Sequence, residues 1–459
     1  MLADKTKISS PSTPKSDCES KVKFKDSNKM SSNSYVYAKH KRFFRCSTEG
    51  KQVDELVTLE HQLWCFQFLK FNDNHCNSAM AGEGNNYDQR VDTEEEREHF
   101  LKIIQAFKSY KTFANNLVLR RLSYIETLPE TQQTALSRYK TSLQEILKCV
   151  ALNHQIIEMI TEDADSMFEN PLNHSNNFRI PRPKVTLSDV DKVQVTLKQI
   201  YRDWTDDGVI ERIQCYQPIL DELEELFPSS LSEQKNSKWS RSDLNVLVPG
   251  AGLGRLAFEI ATLGFSCEGN EFSLYMLFAS NFILNKCPDV KLHKIYPWVM
   301  SCDNNLSSDS LLASVVFPDV NPTNLNEINS DGRRFSMVAG DFLEVYQKEN
   351  EWDCVATCFF IDCANNVCTF IEKIFTILKP GGFWINLGPL QYHFSNSTEE
   401  ESIEPTFEDV KLIIESAGFK LLRETTKLPT LYCQNRRSML KQHYESVFFT
   451  CEKPNSPSL

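Results

Sequence analysis

The hydrophobic pattern of the chain changes near residue 245, after which short apolar runs alternate with stretches of helical period. Short apolar runs are typical of buried strands, and apolar positions recurring every three or four residues indicate helices. The predicted strands are Asn245–Val248, Phe265–Glu268, Phe335–Val338, Trp352–Phe360, Phe383–Leu387, Lys420–Glu424 and Ser446–Cys451. The predicted helices are Arg255–Leu263, Ser273–Asn285, Val367–Leu378 and Phe407–Ala417. Because such alternation produces βαβ units, we expect a doubly wound α/β fold with a mainly parallel sheet.

The residues that precede this domain are predicted to be helical from residue 93 onward. Thr93 is followed by Glu94-Glu95-Glu96, the pattern of a helix start with a capping side chain and acids in the first turn. Further expected helices are Pro129–Val150, Ala151–Thr161, Ser188–Trp204 and Ile213–Phe227. Upstream, we expect a short helix at Leu59–Phe71 and a loop at Asn72–Asp92. The predicted regions are a tail at 1–50, a loop-rich segment at 51–92, a helical region at 93–236 and the α/β domain at 237–459.

The net charge of −12 is unevenly distributed along the chain. Residues 1–50 hold 11 Lys and Arg against 5 Asp and Glu, and the remainder carries −18. This basic, Ser-rich stretch has too few apolar residues to form a core, so we expect a disordered tail. Lys39-His40-Lys41-Arg42 reads as part of that solvated tail or, alternatively, as a nuclear signal. The acidic remainder argues against a nucleic-acid partner and favours a small molecule or peptide.

The locations of the apolar residues and cysteines exclude further classes of protein. No apolar run approaches the length of a membrane span, and the N-terminus lacks the apolar core of a secretory signal. The 15 cysteines are scattered through apolar segments without a CxxC pair or a His/Cys set at zinc spacing. We therefore expect reduced thiols, no metal site and a cytoplasmic protein, with the nucleus as an additional location.

A glycine-rich turn carries the first chemical signal. Val248 and Pro249 end a strand, and Gly250-Ala251-Gly252-Leu253-Gly254 then leads into a helix that starts at Arg255. Glycines let the backbone bend sharply against a ligand, and the helix N-terminus offers free N–H groups. Glu271 follows 21 residues after Gly250, where an acid binds ribose hydroxyls in nucleoside sites of this kind. The alternative is a tight turn with an unrelated acid.

The type of nucleoside follows from the glycine spacing and from two later segments. A dinucleotide site would need glycine at Arg255, and its absence favours S-adenosylmethionine over NAD. Asp341 and Phe342 follow the third strand, where an acid can bind the adenine amino group and a ring can stack on the base. Taken alone, Asp341 is equally well a turn residue. Leu378-Lys379-Pro380-Gly381-Gly382 joins a helix to the fifth strand, as is common in methyltransferases of this class.

Candidate acceptor residues follow the fourth, fifth and last strands. Asp362 ends the fourth strand at the edge that faces the methyl donor, where a carboxylate can orient a nucleophile or take its proton. Asn365 and Asn366 either hydrogen-bond a ligand or, more simply, cap the next helix. His393 lies just past the fifth strand, and Tyr444 lies near the last strand, where a core tyrosine is the alternative.

One helix of the upstream region contributes a further pair. Gln199 and Arg202 are three residues apart and so share a helix face. The guanidinium of Arg202 suits the carboxylate that S-adenosylmethionine carries, although a surface arginine is the commoner arrangement. If this pair binds the cofactor, the helical region caps the cofactor site, which is our hypothesis for residues 93–236.

At these motifs the chain resembles the carnosine N-methyltransferase family over about Thr93–Pro454. The most specific segments are Leu197–Trp204, Leu247–Ala257, Gly269-Asn270-Glu271, Tyr296-Pro297-Trp298, Ala339–Phe342, Cys358–Asp362 and Trp384–Leu390. The resemblance implies a Rossmann-like class I methyltransferase sheet. It implies cofactor contacts from Gln199, Arg202, Gly250, Glu271, Asp341, Phe342 and Cys358. It further implies that the acceptor is held by Asp362, His393 and Tyr444.

The reaction implied by the resemblance transfers a methyl group to the imidazole pros nitrogen of carnosine, giving anserine. A carboxylate at Asp362 that accepts the tele N–H would fix the imidazole tautomer and raise the basicity of the attacking nitrogen. The chain departs from the family pattern at Asn365, at Gln442-His443 and over Pro429–Arg437. A histidine within a longer peptide or protein therefore stays open as the acceptor, as does a non-catalytic module. For the assembly, a homodimer also stays open.

Overall fold

The computed structural model describes residues 66–67, 94–162, 164, 183–228, 240–324, 334–397 and 401–455. The strands of its main sheet are β1 (Phe66–Gln67), β2 (Asn245–Pro249), β3 (Ser266–Glu271), β6 (Phe335–Ala339), β7 (Trp352–Cys358), β8 (Leu378–Gly388), β9 (Lys420–Thr430) and β10 (Tyr444–Glu452). They are arranged in the order β1-β6-β3-β2-β7-β8-β10-β9. A separate antiparallel pair is formed by β4 (His293–Ile295) and β5 (Val315–Phe317).

The centre of the sheet is parallel and doubly wound, as the sequence predicts. Strand β2 pairs in parallel with β3 on one side and with β7 on the other, and these continue to β6 and β8. The chain reverses its winding direction between β2 and β7, which leaves a crevice outside the carboxyl ends of these strands. Asn245–Pro249 is almost entirely buried because helices cover both faces of a parallel sheet.

The far edge of the sheet is antiparallel and longer than predicted. Strand β10 runs antiparallel to both β8 and β9. The predicted strand Lys420–Glu424 extends to Thr430, so the predicted end was wrong. Most residues of β9 are exposed, which leaves little apolar alternation from which sequence could indicate its length. Main-chain pairing with β10 continues the strand regardless of that pattern.

Helices cover the sheet and extend before it. They are α1 (Glu94–Glu126), α2 (Glu130–Ala135), α3 (Ser137–Thr161), α4 (Leu187–Trp204), α5 (Val209–Cys215), α6 (Gln217–Leu226), α7 (Arg255–Thr262), α8 (Leu274–Lys286), α9 (Ser308–Leu311), α10 (Phe342–Val345), α11 (Val367–Ile377) and α12 (Phe407–Ser416). Thr186 and Asp189 form a capping box that starts α4. Among the described residues, no helix has the length and apolar content of a membrane span.

Three sequence predictions about helices are wrong in detail. The predicted break between Val150 and Ala151 does not exist, because α3 runs unbroken through both residues. The predicted helix Ile213–Phe227 is divided at Tyr216, since Pro218 in the first turn of α6 cannot donate a backbone hydrogen bond to continue α5. The predicted helix Leu59–Phe71 contains the strand Phe66–Gln67, and its other residues lie outside the described ones. The predicted tail at 1–50 and loop at 72–92 also lie outside them.

Candidate active site

A cleft of about 840 Å³ opens at the carboxyl ends of β2, β3 and β7, at the position expected for this topology. Helix α4 and the segments after β8 and before β10 complete its walls. The structure brings together here every site residue predicted from the sequence: Gln199, Arg202, Gly250, Gly252, Glu271, Asp341, Phe342, Cys358, Asp362, His393 and Tyr444. Their individual roles stay predictions.

The glycine turn after β2 is built to leave space above it. The backbone N–H of Ala251 donates to the carbonyl of Asn270 at 2.8 Å and ties the turn to β3. Gly250 has φ +66°, and a Cβ there would lie 2.5 Å from the Phe360 ring. Gly252 has φ +56°, and among described residues no heavy atom lies within 4 Å of the position of a Cβ. Gly252 therefore borders open space in the cleft.

Replacing Gly252 with alanine should weaken S-adenosylmethionine binding about ten-fold and cost about 1 kcal/mol of stability, because a side chain at positive φ is strained and would enter the cleft. The dissociation constant is measured by calorimetry and the stability by thermal unfolding. Gly264→Ala is the matched control, since Gly264 has φ +102° but lies outside the cleft lining. Equal losses of cofactor affinity in both variants would contradict this placement.

Glu271 is held in place by backbone N–H groups at the end of β3. Its Oε2 accepts from Gly252 N at 2.8 Å. Its Oε1 accepts from Phe272 N at 2.9 Å and from Ser273 N at 2.7 Å. These bonds orient the carboxylate between the glycine turn and the start of α8, on the wall of the cleft. An oriented carboxylate at this position can accept hydrogen bonds from the hydroxyls of a ribose.

Asp341 and Phe342 lie beside each other where β6 ends. Asp341 caps α10, because its Oδ1 accepts from Leu343 N at 2.7 Å. The turn role considered from the sequence is thus real, and the residue also lines the cleft. The Phe342 ring packs edge-on against Phe360 and Phe370, with centroids at 5.5 and 5.6 Å. This apolar wall suits a flat aromatic base.

Arg202 is buried on α4, so the surface alternative considered from the sequence is wrong. Its guanidinium carbon lies 4.9 Å from the Tyr216 ring centroid and 4.8 Å from that of Tyr432. One terminal nitrogen donates to Tyr216 at 2.8 Å and to Asp203 at 3.3 Å. The Nε has no hydrogen-bond partner among the described residues but lies 4.0 Å from the Glu211 carboxylate. Gln199, one turn earlier, donates to the Tyr432 hydroxyl at 2.6 Å.

A buried ionic network fixes the end of α4 against the sheet. Asp319 accepts from Arg255 at 2.6 Å and from Arg212 at 2.6 Å. The same arginines donate to backbone carbonyls of α4, Arg255 to Asp203 at 2.7 Å and Arg212 to Arg202 at 2.8 Å. Helix α4, which carries Arg202, is therefore fixed to α5 and α7, which carry the two arginines, since each buried charge has several partners.

Asp362 is 3% exposed and lies in a short helical turn just after β7. Its Oδ2 accepts from Gln391 N at 2.9 Å, and its backbone carbonyl accepts from His393 N at 3.0 Å. Burial raises the pKa of the Asp362 carboxyl, against the opposing effects of the Gln391 N–H and of His393. Burial with few partners gives this carboxylate a stronger tendency to accept a proton.

The other acceptor candidates line the same cleft as Asp362. The Tyr444 hydroxyl donates to Gln391 Oε1 at 2.7 Å and accepts from Gln442 Nε2 at 3.1 Å. Asn366 caps α11 by accepting from Cys368 N at 3.0 Å, as the simpler sequence interpretation predicts.

Sequence analysis missed three residues of the cleft, namely Phe359, Tyr432 and Gln391. Phe359 follows β7 with φ +54°, a left-handed conformation that costs a bulky residue about 1–3 kcal/mol. Its ring packs on Tyr432 at 5.0 Å and on Tyr444 at 5.8 Å. Gln391 is the third, since it contacts both Asp362 and Tyr444. Phe359 lies within the noted segment Cys358–Asp362, and Tyr432 lies within Pro429–Arg437, but neither range singled out the residue itself. Gln391 directly follows the noted segment Trp384–Leu390.

The cleft has the features that a nucleoside with a charged amino-acid tail requires. Gly252 borders open space, Glu271 is an oriented acid and Arg202 is a buried cation on the wall of the cleft. A doubly wound sheet with these features at its switch point defines an S-adenosylmethionine-dependent methyltransferase.

Comparison with known proteins gives the family. The family model for carnosine N-methyltransferase matches residues 181–455. Carnosine N-methyltransferase of Mus musculus is 46% identical over 78% of this chain and 87% of its own length. The Drosophila melanogaster protein, carnosine N-methyltransferase unmet, is 42% identical over 80% and 82%, and the Schizosaccharomyces pombe enzyme 35% over 79% and 98%. The chain belongs to the carnosine N-methyltransferase family and is an S-adenosylmethionine-dependent N-methyltransferase.

Two of the solved structures that are similar to this chain are named as methyltransferases. Haemonchus contortus phosphoethanolamine N-methyltransferase 2 in complex with S-adenosyl-L-methionine has a TM-score of 0.33 at 14% identity, covering 60% of this chain and 62% of that chain. A putative sarcosine dimethylglycine methyltransferase from Galdieria sulphuraria has a TM-score of 0.29 at 12% identity, covering 46% and 62%.

Proposed function

We propose that this protein transfers the methyl group of S-adenosylmethionine to the imidazole pros nitrogen of carnosine, giving anserine. The observation that carries the proposal is the buried Asp362 carboxylate at the carboxyl end of β7, inside the same cleft as the glycine turn and Arg202. Relatives named carnosine N-methyltransferase, up to 46% identical, support the acceptor.

On the cofactor side, each wall of the cleft offers one recognition group. The Arg202 guanidinium would donate to the carboxylate of the methionine tail, and Glu271 would accept from the ribose hydroxyls. Asp341 and Phe342 would hold the adenine, the acid at its amino group and the ring against its face. Gln199 and Cys358 complete the wall around the tail. When bound, S-adenosylmethionine supplies a positively charged sulfonium that gives up its methyl group.

On the acceptor side, Asp362 acts on a neutral imidazole, which has one N–H and one lone pair. The carboxylate accepts the tele N–H, which leaves the pros lone pair free and directed at the methyl carbon. The new N–C bond forms as the S–C bond breaks, and the positive charge moves to the imidazole ring. Asp362 stabilises that charge and then takes the tele proton, so that neutral anserine leaves.

His393 and Tyr444 bind the rest of the dipeptide. Both lie beside Gln391, whose backbone positions Asp362 and whose side chain accepts from Tyr444. Phe359 packs on Tyr444 and fixes the ring. This side of the cleft holds the hydrogen-bonding groups that a short, zwitterionic peptide requires.

The proposal is tested by incubating the full chain with methyl-labelled S-adenosylmethionine and carnosine. The expected product is anserine, identified by mass and by comparison with both methyl isomers. Homocarnosine, free histidine and a histidine-containing longer peptide are compared in parallel, and a cell lysate is labelled to detect methylhistidine in proteins. Formation of the tele isomer, or turnover only with protein histidine, would overturn the proposed acceptor.

Replacing Tyr444 with phenylalanine should raise the KM for carnosine about five-fold, because the two hydroxyl hydrogen bonds that order the acceptor wall, with Gln391 and Gln442, are lost at a net cost of about 1 kcal/mol. The turnover number should change less than two-fold, since the ring contact with Phe359 remains. Steady-state kinetics measures both. The control is Tyr392→Phe, which removes a hydroxyl bonded to Pro405 O at 2.7 Å outside the cleft lining. A KM change of the same size in this control would refute the assignment.

A further inference from the structure

Three side chains of different chemistry converge at the acceptor end of the cleft. A carboxylate oxygen of Asp362, the Sγ of Cys363 and an imidazole nitrogen of His393 all lie within 4.8 Å of one another. The Cys363 Sγ and His393 Nε2 are 3.9 Å apart. The reaction proposed above uses Asp362 and His393 but assigns nothing to the thiol.

The backbone around this cluster holds its members together. Cys363 follows Asp362 directly, and His393 N donates to the Asp362 carbonyl at 3.0 Å. The Gln391 N–H donates to the Oδ2 of Asp362 at 2.9 Å. Two segments about 30 residues apart are thereby joined, and for this reason spacing along the chain indicated no metal site.

A sulfur, a nitrogen and an oxygen ligand form the donor set of a zinc site. Zinc bonds of about 2.0–2.3 Å in a tetrahedron place ligand atoms about 3.5 Å apart. The cluster reaches that geometry by closing about an ångström, which a side-chain rotation of the exposed His393 supplies. The open cleft provides the fourth position for water, as in zinc sites with three protein ligands.

We propose that Asp362, Cys363 and His393 bind one Zn²⁺ ion and that this ion blocks the acceptor site. On binding, the thiol releases its proton to solvent and the sulfur, nitrogen and oxygen each donate a lone pair; no electron is transferred. The blocking effect rests on the proposed function, because the ion occupies the Asp362 oxygen that would accept the imidazole N–H. Zinc binding itself does not depend on that function.

Binding is tested first, on the full chain without acceptor. ZnCl₂ is titrated in a metal buffer with a competing chromophoric chelator, and Co²⁺ serves as a spectroscopic substitute. We expect one ion per chain and, with Co²⁺, a thiolate-to-metal charge-transfer band. Cys363→Ser should weaken zinc binding at least ten-fold and abolish the band, because a neutral hydroxyl replaces the thiolate.

The matched control is Cys368→Ser. This cysteine is half-buried on α11 five residues later and does not line the cleft. It should leave the zinc affinity and the cobalt band unchanged. Equal zinc affinity in the wild type and in Cys363→Ser, or a band that Cys368→Ser removes instead, would overturn the site.

Inhibition is tested second, with free zinc fixed by the metal buffer because the imidazole of carnosine also coordinates the ion. Zinc should raise the KM for carnosine without lowering the turnover number, and S-adenosylmethionine affinity should change less than two-fold. Cys363→Ser should need at least ten-fold more free zinc for half inhibition. Competition with S-adenosylmethionine instead would refute the blocking effect. If carnosine is not methylated at all, the binding experiment still decides the zinc site.

Discussion

Replacing Asp362 with asparagine is expected to lower the turnover number about 1,000-fold, the middle of the range for loss of a general base. The asparagine oxygen can still accept from Gln391 N, so the local structure is preserved. What is lost is the negative charge that holds the tele N–H and stabilises the charged imidazole. Because Asp362 acts on the acceptor, the dissociation constant of S-adenosylmethionine should change less than three-fold.

Protein stability separates this loss from unfolding. Burial raises the folded-state pKa of Asp362, so the stabilising contribution of its neutral form is present below the unfolded pKa and is lost as pH rises through the folded pKa. At neutral pH the ionised side chain therefore opposes folding. Asp362→Asn should unfold at the same temperature as the wild type or higher, as measured by calorimetry.

Glu268→Gln provides the matched control for Asp362. Glu268 is a largely buried acid on β3 whose pKa burial also raises, and it accepts from Tyr346 and Ser336 outside the cleft lining. Its replacement should leave turnover within about two-fold. A large loss of cofactor affinity in Asp362→Asn, or turnover close to wild type, would remove Asp362 from the proposed mechanism.

Replacing Arg202 with lysine should weaken S-adenosylmethionine binding about 100-fold, that is, by about 2.7 kcal/mol. The positive charge remains, but lysine cannot present a planar fork to a carboxylate. The contacts between the guanidinium and the rings of Tyr216 and Tyr432 are lost as well. Calorimetric titration with S-adenosylmethionine and with S-adenosylhomocysteine should show the same loss, because both carry the carboxylate.

The control for this prediction is Arg241→Lys. Arg241 is a largely buried arginine that donates to the carbonyls of Phe227 and Leu263, away from the cleft. Its replacement removes a comparable set of hydrogen bonds and should leave the cofactor affinity unchanged. Adenosine has no amino-acid tail, so its affinity should not depend on Arg202. If Arg202→Lys weakened the binding of adenosine and not that of S-adenosylmethionine, the assignment of Arg202 to the carboxylate would be contradicted.

The sequence predicted the site well where chemistry follows directly from a strand. Glu271, Asp341 and Asp362 each lie at or shortly after the end of a strand, and parallel strands bring such ends to one edge of the sheet. It left alternatives open where the position depends on distant contacts. Arg202 could equally have been a surface residue until the sheet, Asp319 and the tyrosines were placed around it.

By itself, the sequence determined the doubly wound fold, the glycine turn and the acids at the strand ends, because these follow from local periodicity and from the backbone freedom of glycine. Only the tertiary structure decided which side chains share the acceptor end. His393 and Cys363 are 30 residues apart in the chain and 3.9 Å apart in space. Their proximity follows from backbone hydrogen bonds between separate segments, and such long-range pairing leaves no periodic trace in the order of residues.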